Sequence, residues 1–184
     1  MYLVSIYFDE ITEKKIRSLI EKVADKTGNT FMIDGDVPPH ITVCAFYTKH
    51  EEEAIHILGN CVASLQQSEL QFVSVGTFLP YVIYLAPVLD KGLLNVSLAT
   101  YMDFSKIEDC SMSKYYRPFQ WMPHVTIGKK LSKEELGVAF EVLQNQFVPF
   151  QGMVTKIGIA KTNPYEDLAI FELENHNKSV LKSK

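Results

Sequence analysis

A short pattern that contains a histidine and a threonine occurs twice in the sequence. Its copies are Pro39-His40-Ile41-Thr42-Val43 and Pro123-His124-Val125-Thr126-Ile127, called the two His-x-Thr segments below. In a β-strand, successive side chains point to opposite faces. Each segment is therefore predicted to show its histidine and threonine on one face and to bury two β-branched residues on the other. If the two segments meet across a cleft, two imidazoles and two hydroxyls can hold one phosphate.

These residue types suit the cleavage of a phosphodiester. One histidine can act as base and the other as acid, because the ordinary imidazole pKa of about 6.5 lies near working pH. Thr42 and Thr126 are candidates to donate hydrogen bonds to the non-bridging oxygens, where charge develops. Phosphoryl chemistry depends mostly on positioning and electrostatics, so four such side chains can suffice without a metal. A bell-shaped dependence of rate on pH is expected.

The alternative is that the segments are structural. A single His-x-Thr on a strand is common and indicates little. Two copies, each preceded by proline and each at the same place in a repeated order of elements, favour a shared site made by His40, Thr42, His124 and Thr126.

Hydrophobic periodicity predicts the elements that position the segments. The first half reads as a strand at 2–8, a helix from Thr12 to about Lys26 that stops at Gly28, a loop at 29–39, a strand at 40–46, a helix at 51–67 and a strand at 70–79. The second half reads as a strand at 81–88, a helix at 93–104, a polar, aromatic-rich connection at 105–123, a strand at 124–128, a helix at 132–146 and strands at 148–161 and 167–173 around a turn at 163–166. Ser132 and Glu135 form a predicted capping box.

The same order of elements thus occurs twice: strand, helix, His-x-Thr strand, helix, strand. We predict an α+β protein with two pseudo-symmetric lobes, each an antiparallel sheet with helices on its outer face and a cleft between them. The 184 residues fit a single bilobal domain at 1–184. Its approximate repeats are 1–80 and 81–173, followed by a polar tail at 174–184.

The composition of the chain disfavours some classes of ligand and location. The formal net charge is −4, which disfavours binding of long nucleic acid, so we expect the protein to grip only an end or a small piece of a polyanion. The sequence also bears on the cellular compartment. No apolar run approaches the ~18 residues that span a bilayer. The apolar start at 1–8 lacks a basic leader and a cleavage site, so we expect a strand rather than a signal peptide. Cys44, Cys61 and Cys110 predict free thiols in a reducing cytoplasm. We expect a monomer.

Residues ahead of the second segment are candidates for substrate binding. Tyr115, Tyr116, Phe119 and Trp121 can stack a base, although packing beneath the loop is the plainer alternative. Arg117 can hold a phosphate bidentately, or it is an ordinary surface arginine. The other histidines, at positions 50, 56 and 176, are predicted to be surface or packing residues.

No cofactor is predicted. Two histidines without a nearby Asp, Glu or Cys fall short of the three or four ligands that zinc prefers, so no metal site is expected. The sequence also lacks a glycine-rich phosphate loop, a Gly-x-Ser-x-Gly elbow and a His-Glu-x-x-His pattern.

The two His-x-Thr segments resemble those of the 2H phosphoesterase superfamily, and within it the bacterial 2′-5′ RNA ligase-like, or RNA 2′,3′-cyclic phosphodiesterase, group. The resemblance implies a metal-independent phosphodiesterase with both histidines as acid and base and both threonines on the phosphate. It implies 2′,3′-cyclic phosphates or 2′-5′ linkages in RNA or small nucleotides as substrates. Some relatives carry a basic residue soon after the second motif, where this chain has Lys129 and Lys130.

Two kinds of function remain open at this point. One is hydrolysis of a 2′,3′-cyclic or 2′-5′-linked nucleotide or RNA end, with ligation as its reverse. The other is a binding module that holds a nucleotide or phosphate without cleaving it. Retention of both histidines favours catalysis, since binding alone is served equally well by Lys or Arg.

Overall fold

A computed structural model of the protein describes residues 1–175. The predicted tail at 174–184, with His176, lies almost wholly outside the described residues. The strands are β1 (Tyr2–Phe8), β2 (His40–Tyr47), β3 (Ser68–Phe78), β4 (Val82–Pro87), β5 (Ser111–Met112), β6 (Val125–Gly128), β7 (Phe150–Lys161) and β8 (Glu166–Glu172). The α-helices are α1 (Glu10–Thr27), α2 (Phe31–Asp34), α3 (Glu51–Val62), α4 (Lys91–Phe104) and α5 (Lys133–Gln146), and a 3-10 turn covers Lys114–Tyr116.

The strands form an antiparallel sheet in the order β5-β2-β1-β7-β3-β4-β6, with β8 also paired to β7. The expected α+β architecture of antiparallel strands and helices is confirmed. The long strand β7 joins the two halves: residues 154–161 pair with β1, and residues 150–154 pair with β3. The sheets of the two lobes are therefore continuous through β7 rather than separate.

The lobes defined by strand pairing do not follow the two halves of the chain. β3 belongs to residues 1–80 but pairs with β4 from the second half. β7 and β8 come from the second half, yet β7 pairs with β1. Each half thus contributes strands to both lobes, and the approximate repeat at 1–80 and 81–173 stays a prediction about sequence.

The sheet curls so that its two ends approach each other. β6 is the last strand at one end, and β2 is separated from the other end only by the two-residue strand β5. The structure nevertheless places β2 and β6 in contact. This curvature brings together two segments that are half the chain apart.

Helix ends depart from prediction where a nearby side chain makes a better cap. α1 begins at Glu10 rather than Thr12, because the Asp9 carboxylate accepts a hydrogen bond from the Thr12 N–H at 3.0 Å. The Thr12 hydroxyl instead accepts from the Met153 N–H at 3.0 Å and ties α1 to β7. α1 ends as expected at Gly28, which has φ +74°. The predicted capping box of α5 is present.

The other differences lie in connections. α3 ends at Val62 rather than near residue 67, and the Gln67 N–H donates to the Glu174 carbonyl at 3.0 Å instead of extending the helix. The loop predicted at 29–39 contains α2, and the connection at 105–123 contains β5 and the 3-10 turn. These short elements carry little periodicity. They contact elements distant in sequence: α2 contacts β6, β5 pairs with β2, and the 3-10 turn contacts β2.

Candidate functional site

Both His-x-Thr segments have the predicted alternation. His40 is the first residue of β2, and His124 immediately precedes β6. The intervening apolar residues are buried at 0 to 1% exposure, and they are Ile41, Val43, Val125 and Ile127. Burial of these side chains on the inner face holds the histidines and threonines on the other.

The two imidazoles are oriented by the same local contact. His40 Nδ1 lies 2.8 Å from the Pro38 carbonyl, and His124 Nδ1 lies 2.9 Å from the Met122 carbonyl. In both cases the acceptor is two residues earlier. A proton on Nδ1 donated to that carbonyl leaves Nε2 as the atom available for chemistry. The segments thus share a hydrogen-bond geometry as well as a sequence pattern.

The histidines line neighbouring cavities rather than one. His40, Thr126 and Lys129 line a cavity of about 330 Å³. His124 and Tyr116 line another of about 510 Å³. Thr126 is only two residues after His124, so the second segment reaches from one cavity into the other. The contact between β2 and β6 and the charge repulsion between His40 and His124 show that the two segments lie near each other.

Burial lowers the pKa of both imidazoles and thus favours their neutral form. Desolvation is the main cause that lowers the pKa of His40 below its ordinary value of 6.5, and His124 and Lys129 lower it further by charge repulsion. The Pro38 carbonyl and the Asp167 carboxylate act in the opposite direction. Desolvation likewise lowers the pKa of His124, against the effect of the Met122 carbonyl.

The two threonines are not equivalent. Thr42 is buried, with its hydroxyl 3.2 Å from the Ser5 hydroxyl. The 3-10 turn that contains Tyr116 contacts β2, the strand of Thr42. Thr126 is half-buried and lines the His40 cavity. Of the two hydroxyls, that of Thr126 is the more accessible to a ligand.

The aromatic loop divides into buried and exposed members. Trp121 is 6% exposed, and its indole N–H donates to the Thr42 carbonyl at 3.1 Å. This contact gives Trp121 a packing role, and the residue also lines the His124 cavity, so its predicted contact with a base stays a prediction. Tyr116 is half-buried beside Thr42. Phe119 is 72% exposed, and Arg117 is exposed too, and neither lines the two cavities.

The Trp121 contact joins the two ends of the curled sheet. The first part of β2 has no strand on its outer side, since β5 pairs only with Phe46 and Tyr47. The indole N–H satisfies a carbonyl on this open edge from a position just ahead of β6. This hydrogen bond therefore links the residues just ahead of the second His-x-Thr segment directly to the first segment.

We expect Trp121→Phe to lower the free energy of unfolding by about 1–3 kcal/mol, because a buried carbonyl loses its donor while the ring stays apolar. Urea unfolding followed by circular dichroism measures this. Tyr115→Phe is the matched control on the same loop, and its 72% exposed ring predicts a change within about 0.5 kcal/mol. Equal stabilities of the two variants would contradict the contact's role.

Several neighbours of the histidines were not found from the sequence. Tyr7 pairs with His40 across β1 and β2, with ring centroids 6.1 Å apart. The Tyr7 hydroxyl lies 3.3 Å from that of Tyr165, which donates to Asp167 at 2.7 Å. Only the hairpin between β7 and β8 brings Tyr165 into the His40 cavity. The alternation of β1 predicts that Tyr7 shares a face with Ser5 and Leu3, but no sequence pattern links it to residue 165.

His124 has an aromatic surround of its own. Phe78 contacts the imidazole edge to face at 4.8 Å between centroids, and Tyr84 lies at 5.4 Å. The Tyr84 hydroxyl donates to the Met122 sulfur at 3.0 Å. These rings supply the burial that disfavours the imidazolium.

Within residues 1–175, no group of three or more His, Cys, Asp or Glu side chains is placed to hold a metal ion. Over the same range, none of the helices combines the length and the apolarity that crossing a membrane requires.

Comparisons with known structures agree on the fold. The structure matches E. coli LigT complexed with ATP with a TM-score of 0.54 at 16% identity, covering 95% of this chain and 97% of that one. It matches E. coli LigT complexed with 3′-AMP with a TM-score of 0.56 at 15% identity, covering 95% and 98%. It matches TT0787 of Thermus thermophilus with a TM-score of 0.62 at 13% identity, covering 95% and 98%. At these identities the likeness shows the fold.

The comparison with family models is more specific. A search of curated protein sequences found no match. The model of the 2′-5′ RNA ligase superfamily, however, matches residues 11–166, which contain both His-x-Thr segments and most of the chain. The resemblance to 2H phosphoesterases is thereby confirmed, and the chain belongs to the 2′-5′ RNA ligase superfamily.

Proposed function

We propose that the protein is a metal-independent phosphodiesterase that hydrolyses a 2′,3′-cyclic phosphate or a 2′-5′ linkage at a nucleotide or RNA end. The observation that carries the proposal is the matched pair of imidazoles, each with Nδ1 fixed by the carbonyl two residues earlier. Two preset Nε2 atoms in adjoining cavities suit a reaction that needs one acid and one base.

In this mechanism one histidine takes the proton of the attacking water or hydroxyl, and the other protonates the leaving oxygen. Thr126 and Thr42 donate hydrogen bonds to the non-bridging oxygens. Lys129, exposed at the edge of the His40 cavity, attracts the phosphate. Ligation is the same reaction in reverse.

The rest of the predicted binding set lies toward the His124 side. Tyr116 and Trp121 both line the His124 cavity. Phe119 and Arg117 stand further out on the same loop, where they are available to a longer substrate. The net charge of −4 agrees with a grip on an end rather than on long nucleic acid. Free Cys44, Cys61 and Cys110 suit action in the reducing cytoplasm. That the protein acts as a monomer stays a prediction.

The direct test is incubation with a panel of nucleoside 2′,3′-cyclic phosphates and 2′-5′ dinucleotides, with and without EDTA, followed by chromatography. We expect product at the same rate in both conditions. Loss of product in EDTA would contradict metal independence. Tight binding without product would favour a binding module instead, which the same cavities could serve.

The lowered pKa values predict an acidic optimum. The active form has one imidazole protonated and one neutral, and it is most populated between the two pKa values. Both lie below 6.5 in the free protein, so kcat/KM should peak below pH 6.5 and fall as the pH rises further. A bound phosphate anion favours the imidazolium, so the kcat profile should lie at higher pH. Rates measured from about pH 4.5 to about pH 9 check this, and a kcat/KM maximum above about pH 7.5 would contradict it.

A further inference from the structure

The His40 cavity has two unlike walls. One wall is apolar and comes from α2 and its flanks, through Phe31, Met32 and Val37. The other is polar and comes from the β7–β8 hairpin, through Thr162, Asn163 and Tyr165. A volume of about 330 Å³ lies in the range of small-molecule pockets, which combine apolar walls with a few placed polar groups.

The apolar wall is accessible and lies near positive charge. Phe31 is 37% exposed although it is aromatic, and the Lys130 ammonium lies 4.4 Å from its ring centroid. The Lys129 ammonium lies 6.0 Å from the same centroid. An aromatic ring beside two cations suits a flat, electron-rich group attached to an anion.

The polar wall contains a hydroxyl that other residues hold in place. Tyr165 is half-buried, between the Tyr7 hydroxyl at 3.3 Å and the Asp167 carboxylate at 2.7 Å. Because Asp167 accepts the Tyr165 proton and Tyr7 can donate to its oxygen, the phenol is fixed without a ligand. A fixed hydroxyl gives specificity for a polar partner at little entropic cost.

We propose that this cavity is the nucleoside subsite: the base lies against Phe31, and Tyr165 hydrogen-bonds to the ribose or the base, while the phosphate sits between His40 and Thr126. The inference rests on the proposed function, since it assumes a phosphate at the His-x-Thr segments. It places the nucleoside on the side opposite the aromatic loop at 115–121, which was the candidate from sequence.

The test compares binding of 3′-AMP and inorganic phosphate by isothermal titration calorimetry. We expect 3′-AMP to bind more tightly than phosphate. Phe31→Leu should weaken the binding of 3′-AMP by about 5- to 100-fold and leave the affinity for phosphate unchanged, because only the stacked base loses its partner. Tyr165→Phe should weaken the binding of 3′-AMP by about 2- to 10-fold, which is the effect of losing one hydrogen bond.

Two further variants decide the location. Phe140→Leu, on an exposed aromatic of α5, is the matched control and should change neither affinity. Tyr115→Leu reports on the His124 cavity. If Tyr115→Leu weakens the binding of 3′-AMP while Phe31→Leu does not, the proposed subsite is overturned. It is also overturned if Phe31→Leu weakens the binding of phosphate as much as that of 3′-AMP. Equal affinities of the unmodified protein for 3′-AMP and phosphate would overturn it too, with the proposed function intact. Failure to bind either ligand would reject the proposed function and the subsite together.

Discussion

Replacing either His40 or His124 by alanine should lower kcat/KM on the preferred phosphodiester by about 10²- to 10⁴-fold, the typical contribution of one positioned acid or base. The reason is that each Nε2 is preset by its Nδ1 contact, and the other two histidines within residues 1–175, His50 and His56, do not line the two cavities. We expect the double variant to be little worse than either single one, because acid and base act as a unit.

Steady-state kinetics on purified variants measures this, with circular dichroism to show that the fold is kept. His56→Ala is the control: His56 is an exposed histidine on α3, and its loss should leave kcat/KM unchanged. Full activity in both the His40 and the His124 variants would reject the assignment of these residues. A large loss of kcat/KM in only one of the two variants would indicate that a single histidine acts as acid or base.

Thr126→Val should lower kcat by about 10²- to 10³-fold, as expected when one donor to a developing negative charge is removed. Valine keeps the shape and the strand preference of threonine, so the loss reports the hydroxyl. Thr126→Ser, which keeps the hydroxyl, should recover most of the rate. Thr126 is the better choice than Thr42 because its side chain is half-buried and lines the His40 cavity.

The comparison with Thr42→Val adds a second readout. That change also removes the partner of the buried Ser5 hydroxyl at 3.2 Å. We therefore expect it to lower stability as well as rate, by about 1–3 kcal/mol in urea unfolding. If Thr126→Val keeps kcat within about threefold of the unmodified protein, its hydroxyl does not stabilise the transition state.

Local patterns were sufficient where neighbours in sequence decide the outcome. Alternation in the two His-x-Thr segments predicted the burial of Ile41, Val43, Val125 and Ile127, since the alternation of side-chain direction depends only on the strand itself. The capping box of α5 was predicted for the same reason. Alternation did not predict the burial of Thr42, which depends on what packs over β2. Asp9 was missed as the cap of α1, although an acidic residue before a helical stripe is a recognisable signal.

Contacts between distant parts of the chain could not be predicted in this way. Tyr165 reaches His40 only because β7 pairs with both β1 and β8, and Phe31 reaches the same cavity only because α2 forms within an apparent loop. The hydrogen bond from the Trp121 indole to β2 could not be predicted either, because a sequence does not show which strand edge the ring meets.

The amino-acid sequence by itself determined the reactive groups: two imidazoles and two hydroxyls, each on a strand whose other face is apolar. Tertiary structure alone decided their arrangement, because the curl of the sheet brings β2 and β6 into contact and lets Thr126 share a cavity with His40. Curvature arises from pairing among all the strands, and therefore no single segment of the chain encodes it.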